Sequence, residues 1–291
     1  MIDAHHHIWF QKDLPWLLGP EQHRIFGRYG SIKRDYLIGE FLDDLEGTGI
    51  EKSVYVQANW APNWFEDEVA WVQSVADESG WPHAISGYAD FTIGDVRPQL
   101  DRLAAYPLMR AIRQQFHWHE NPLYRFAQRP DLPADGRVQK NIAKLADYEW
   151  AFELQVFPAQ MDAAERLANA CPDVTFVLQH AGMLVDTTPS GWSEWRRGMK
   201  KLALCENVVS KLSGFGTFIR RLDPQLNGTL VNETLKIFGA ERCMFGSNFP
   251  IEKIWTDYGS LLESHLAAVS KLPETDRHEI FSGTASRVYG I

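Results

Sequence analysis

The sequence predicts an α/β fold, a (β/α)8 TIM barrel formed by one domain over residues 1–291. Three observations predict it. Short apolar, β-branched runs alternate with longer stretches of helical periodicity, the pattern of a parallel sheet covered by helices. Such strand–helix units number roughly eight, the count at which the sheet closes into a barrel. No low-complexity linker divides the chain, so the units belong together.

The first run, MIDAHHHIW, sets three histidines behind an aspartate and brackets them with Ile2, Ala4, Ile8 and Trp9. Successive strand side chains point to opposite faces, so Asp3, His5 and His7 are expected on one face and His6 on the other. Two imidazoles on one face can hold a divalent cation. A short His-x-His is equally an ordinary core or surface pair. The remaining strand candidates are KSVYVQAN, HAISGYAD, MRAIRQQF, AFELQVF, VTFVLQHAG, VVSKLSG and RCMFGSNFP. Between them, residues 36–46 carry Leu37, Phe41, Leu42 and Leu45 at helical spacing. Stretches 66–78, 138–148, 161–170, 192–204, 230–238 and 258–269 read the same way. Segments 12–34 and 117–136 are long excursions after the first and fourth strands, expected at the face where βα loops build the site.

Composition narrows the function. A net charge of -9 and the lack of a basic stripe speak against nucleic-acid binding. No apolar run is long enough to cross a bilayer, and the N-terminus lacks the layout of a signal peptide. Cys171, Cys205 and Cys243 are odd in number and widely spaced, which fits a reducing, cytoplasmic location. The expected partner is a small-molecule substrate, with homo-oligomerisation left open.

In a barrel the chemistry sits at strand C-termini. The polar residues there are His5, His7, Gln57, Asn59, Asp90, Arg113, Gln115, Gln155, His180, Lys211, Ser213 and Asn248. His180, in VLQHAGM, precedes a small-residue turn that leaves space beside its imidazole. Lys211 either meets an anionic group or snorkels from its strand end. Glu252 either orients a loop or acts as a base. Trp9, Trp60 and Trp118 are candidate stacking walls, with core packing the alternative.

DAHHHIW resembles the Asp-x-His-x-His-x-Trp opening of the amidohydrolase-2 branch of the amidohydrolase superfamily. The likeness continues through VLQHAGM, SKLSGFG and RCMFGSNFP and covers essentially the whole chain. That branch contains metal-dependent TIM-barrel hydrolases, sugar lactonases of the L-fuconolactonase type and 2-pyrone-4,6-dicarboxylate lactonase. The resemblance implies His5 and His7 as metal or substrate ligands, with His180 as the third histidine. It places Asn248 where relatives carry an aspartate. An amide is a weaker ligand and no general base. Gln155 stands where two-metal relatives have a histidine, so a binuclear site is not expected. What remains is one divalent ion, zinc or manganese, on His5, His7 and His180, or a metal-independent mechanism in which histidines polarise the carbonyl. Arg113 falls where relatives hold a substrate carboxylate or carbonyl. His117, His119 and Glu120 could supply the proton transfer that Asn248 cannot; the alternative is a loop that hydrogen-bonds itself shut.

The expected activity is opening of a lactone or related cyclic ester. His180, Asn248, His117 and His119 are the candidate catalytic residues, and Arg113, Trp9, Trp118, Gln155 and Lys211 the candidate substrate contacts. The rivals are a non-oxidative decarboxylase and a ligand-binding barrel without catalysis.

Overall fold

The computed structural model describes residues 1–291. Eight strands form one sheet in chain order: β1 (Ile2–His6), β2 (Lys52–Val56), β3 (Ala84–Gly87), β4 (Met109–Gln115), β5 (Ala151–Gln155), β6 (Phe176–Leu178), β7 (Val208–Leu212) and β8 (Cys243–Phe245). Each pairs parallel with the next. The seam between first and last strands closes through backbone just beyond β8. Asn248 N–H donates to the His5 carbonyl at 2.7 Å, and His7 N–H to the Phe249 carbonyl at 2.7 Å. The Asp3 carboxylate fastens the seam by accepting from Ser247 N–H at 2.8 Å and the Tyr258 hydroxyl at 2.9 Å.

The helices are α1 (Pro15–Leu18), α2 (Ile38–Asp44), α3 (Phe65–Ser79), α4 (Arg97–Leu103), α5 (Gly136–Ile142), α6 (Met161–Ala170), α7 (Pro189–Ala203), α8 (Pro224–Phe238), α9 (Tyr258–Ala268), α10 (Glu274–His278) and α11 (Thr284–Tyr289). The larger ones lie where periodicity places them. Helix α4 has no sequence counterpart, because its buried face consists of Leu100 and Leu103 alone, too few apolar repeats to show a period. Brevity hides α1, α10 and α11.

Apolar side chains segregate into two bodies. The larger packs the sheet against its helices. The smaller takes at least one residue from every strand, including Ile2, Val54, Ala84, Ala111 and Met244, so it fills the barrel axis. Tyr289 and Ala285 of α11 join it and plug the barrel at its N-terminal end. Above this layer, polar side chains occupy the barrel interior. There Glu153 meets Lys211 at 2.7 Å with both side chains fully buried. Tyr289 donates to Glu153 at 2.6 Å, and Gln179 Nε2 donates to it at 3.0 Å.

Candidate active site

A bulge in β1 decides which residues look into the barrel. Its pairing with β2 shifts between Asp3 and His6. Ile2 and Ala4 face the axis, whereas Asp3 turns outward to Tyr258 of α9. Beyond the shift His5 and His7 point inward, beside His180 and the cavity respectively. Asp3 therefore does not share the histidines' face, because one extra residue in a strand reverses its alternation. His6 does take the other face, stacking on Phe41 at 3.9 Å.

The His5 ring lies 5.1 Å from His7 and 4.9 Å from His180, centroid to centroid. His180 comes from a strained turn after β6, where His180, Ala181 and Met183 all have positive φ (53°, 44° and 55°). Asn59 and Asn248, at the ends of β2 and β8, are also left-handed at 64° and 57°. Such strain persists only where the surroundings over-determine it, and it gathers at functional sites. The space beside the His180 imidazole comes from Gly214, where a Cβ would lie 2.5 Å from Nδ1. Gly182 plays another part: its missing side chain makes room for Met161 of α6.

Hydrogen bonds fix the proton of one imidazole. His7 Nδ1 lies 2.6 Å from the Val56 carbonyl, which can only accept, so Nδ1 carries the hydrogen and Nε2 keeps a lone pair. His180 Nδ1 meets the Ser213 hydroxyl at 2.9 Å, a partner that serves either tautomer. Both His5 nitrogens are buried without a partner. Burial pushes His5 and His7 well below the usual imidazole range and His180 down to about 3, with nearby Arg113 adding to the shift in each. All three are neutral at pH 7. The Arg113 guanidinium reaches the Gln57 carbonyl and, at 3.4 Å, Gln179 Oε1, while its Nε is unpartnered. Burial lowers it to about 10, so it stays charged.

These strand ends open into a cavity with about 130 Å³ of free space. That is on the scale of the roughly 150 Å³ cavity that accepts benzene. Trp9, Arg113, His117, Gln155, His180 and Asn248 line it together with His7. Three expected contacts lie elsewhere. Lys211 is committed to Glu153 inside the barrel, so it neither snorkels nor faces the cavity. A lone charge in AFELQVF, in phase with Gln155, was the available signal for its partner. Trp118 lies under the Arg125 guanidinium at 4.9 Å. His119 accepts from Asn121 N–H at 3.0 Å and packs on Tyr124 and Phe157, so it shapes the loop. His117, in contrast, lines the cavity with Nδ1 buried and unpartnered.

The two excursions supply lining residues absent from the sequence reading: Trp16, Arg24 and Phe26 from the first, Tyr124 and Arg125 from the second. Trp16 Nε1 donates to the Ala58 carbonyl at 2.9 Å, tying the first loop to the end of β2. Behind Asn248, the buried Glu252 accepts from Trp255 Nε1 at 2.8 Å, and Asn248 and Gly216 N–H face its carboxyl. Burial raises that carboxyl to about 8, so it holds a proton at pH 7.

Three neutral imidazoles are a donor set for one zinc or manganese ion. As placed, however, no group of three His, Cys, Asp or Glu side chains is positioned to ligate a single ion. His5, with both ring nitrogens unpartnered, His7 and His180 are the residues that would hold such an ion.

A parallel barrel with strained, histidine-bearing strand ends around one cavity defines a barrel hydrolase site. Residues 2–291 match the family described as Amidohydrolase, and the chain belongs to that family. Over its full length it is 32% identical to uncharacterised protein y4mH of Sinorhizobium fredii, covering 98% of that protein. It is 27% identical to an L-fucono-1,5-lactonase of Burkholderia multivorans, covering all of this chain and 96% of the relative. A crystal structure of a Burkholderia multivorans amidohydrolase with bound zinc superposes with a TM-score of 0.83 at 25% identity, covering 100% of this chain and 99% of that one. No helix is long and apolar enough to cross a membrane.

Proposed function

We propose that the protein opens the ring of a lactone by water attack on its carbonyl. One observation carries this reading: a neutral acceptor, His7 Nε2, and a charged donor, Arg113, belong to the same cavity. Hydrolysis of an ester needs this pair, a base for the water and a positive field for the developing oxyanion. His7 takes a proton from water as the oxygen attacks. Arg113, the Asn248 amide and His180, protonated on Nε2 when Ser213 donates to Nδ1, stabilise the tetrahedral oxyanion. The ring C–O bond then breaks, and the imidazolium returns its proton to the departing ring oxygen. The product is a hydroxy acid that releases one proton at neutral pH. His117 is the second donor for the leaving oxygen, while Trp9 and Gln155 orient the ring.

The side chains alone account for these steps. Similarity to an L-fucono-1,5-lactonase supports the reaction type, and the bound zinc belongs to the crystallised relative. Cyclic esters in weakly buffered indicator solution test the reading. Proton release with equimolar hydroxy acid is the expected result. Carbon dioxide release from an aryl carboxylic acid, with every lactone inert, would overturn it.

A further inference from the structure

The charge of the cavity runs against that of the protein. The chain carries a net charge of -9, yet no aspartate or glutamate lines the cavity, whereas three arginines do. They are not equivalent. Arg125 is committed to its own loop, donating to the His119 and Glu120 carbonyls at 3.1 and 2.9 Å. Arg113 sits at the strand ends, on the side of the histidines. Arg24 comes from the first excursion; its guanidinium lies over the Trp16 ring at 5.4 Å and its buried Nε has no partner. It makes no ion pair, so its charge is uncompensated.

An unpaired guanidinium with free donors beside an aromatic wall suits a carboxylate on a flat ring. Its planar fork matches the two oxygens, and the ring stacks on the tryptophan that supports it. We infer that Arg24 is a specificity-determining residue that binds a carboxylate on the substrate ring, so that the preferred substrate is an anionic lactone rather than a neutral one. The lactonase reading underlies the turnover half of this inference; the preference for an anion stands on binding alone.

The probes are 2-oxopyran-5-carboxylate and its methyl ester, which present the same ring with and without the charge. For the full-length enzyme, kcat/KM is expected to favour the acid by at least about tenfold, the scale of one charge-assisted hydrogen bond. Arg24→Met keeps an apolar stem over Trp16 and removes the charge. It should raise KM for the acid by roughly 10–100-fold and leave kcat and the ester's KM within about twofold. Arg24→Lys should recover part of the loss. A purely structural Arg24 would instead lower turnover of both probes alike, and that outcome, or an ester that matches the acid, overturns the inference. If neither probe is turned over, the lactonase reading is judged by the wider set of cyclic esters. Calorimetric titration with benzoate and benzamide then decides this inference: benzoate binding that is lost in Arg24→Met supports it, and equal affinity for both ligands refutes it.

Discussion

His180 shows what one residue at a strand end can carry. Its backbone is left-handed, its Nδ1 is engaged by Ser213, and its ring abuts His5. His180→Ala is expected to cut kcat/KM by roughly 10²–10⁴-fold, the range of a positioned proton-transfer or polarising group. Thermal unfolding should stay cooperative, because the imidazole lines a cavity and fills no core position. Asn248 poses the opposite test. A carboxylate placed beside the buried Glu252 meets a group already raised to about 8 by desolvation. Like-charge repulsion would push the pair's ionisation higher still. Asn248→Asp should therefore lower kcat/KM at pH 7 by about tenfold, through loss of a hydrogen-bond donor to the oxyanion; a gain in rate would mark Asn248 as a degraded acid. Glu252 also predicts a pH effect. Its folded-state pKa lies above the unfolded value, so the folded chain binds the extra proton, and stability falls as pH rises from about 4.5 to about 8. Urea midpoints of Glu252→Gln at pH 5 and pH 9 should differ less than those of the unmodified protein.

Among elements, β1 and β7 mark where the sequence was legible and where it was not. Alternation placed His6 outward correctly, and the strand-end positions of His5, His7 and His180 followed from the barrel pattern. Asp3 escaped because the bulge between Asp3 and His6 depends on pairing with β2, a non-local property that no single strand displays. Lys211 escaped for a related reason. Its partner Glu153 lies two strands away on β5, and only closure of the barrel brings the two into contact. The loop residues Arg24 and Trp16 were hidden because excursions have no periodicity to read. The Glu153–Lys211 pair gives an element-scale test. Lys211→Met leaves Glu153 buried without its cation, a change that costs about 3–5 kcal/mol. Pairing it with Glu153→Gln should return most of that loss in a chemical-denaturation series, because no uncompensated charge then remains.

At the scale of the molecule, the eight-stranded topology and its strand order were readable because strand and helix periods alternate so regularly. The chemistry at the centre was readable only as residue types. Three histidines suggest the donor set of one ion, and each ring has its own environment: a carbonyl on His7, a hydroxyl on His180 and no partner on His5. Elemental analysis of protein purified without chelator should find no more than one divalent ion per chain. Lactone turnover should persist after exhaustive chelation; full loss of activity on chelation, restored by zinc, would require the histidines to regroup around the ion.

The Asp3 fastening has a consequence in time. Its two partners, Ser247 and Tyr258, lie 244 and 255 residues further along the chain. Tyr289, which completes the hydrogen bonds of Glu153, lies 136 residues beyond it. A ribosome making this protein therefore releases the first strand long before anything exists to hold its free edge. Closure over such a separation is slow, and the exposed edge invites pairing with other chains while it waits. The first strand, which bears His5 and His7, is thus a part of the nascent chain in need of shelter until the segment after β8 has been made.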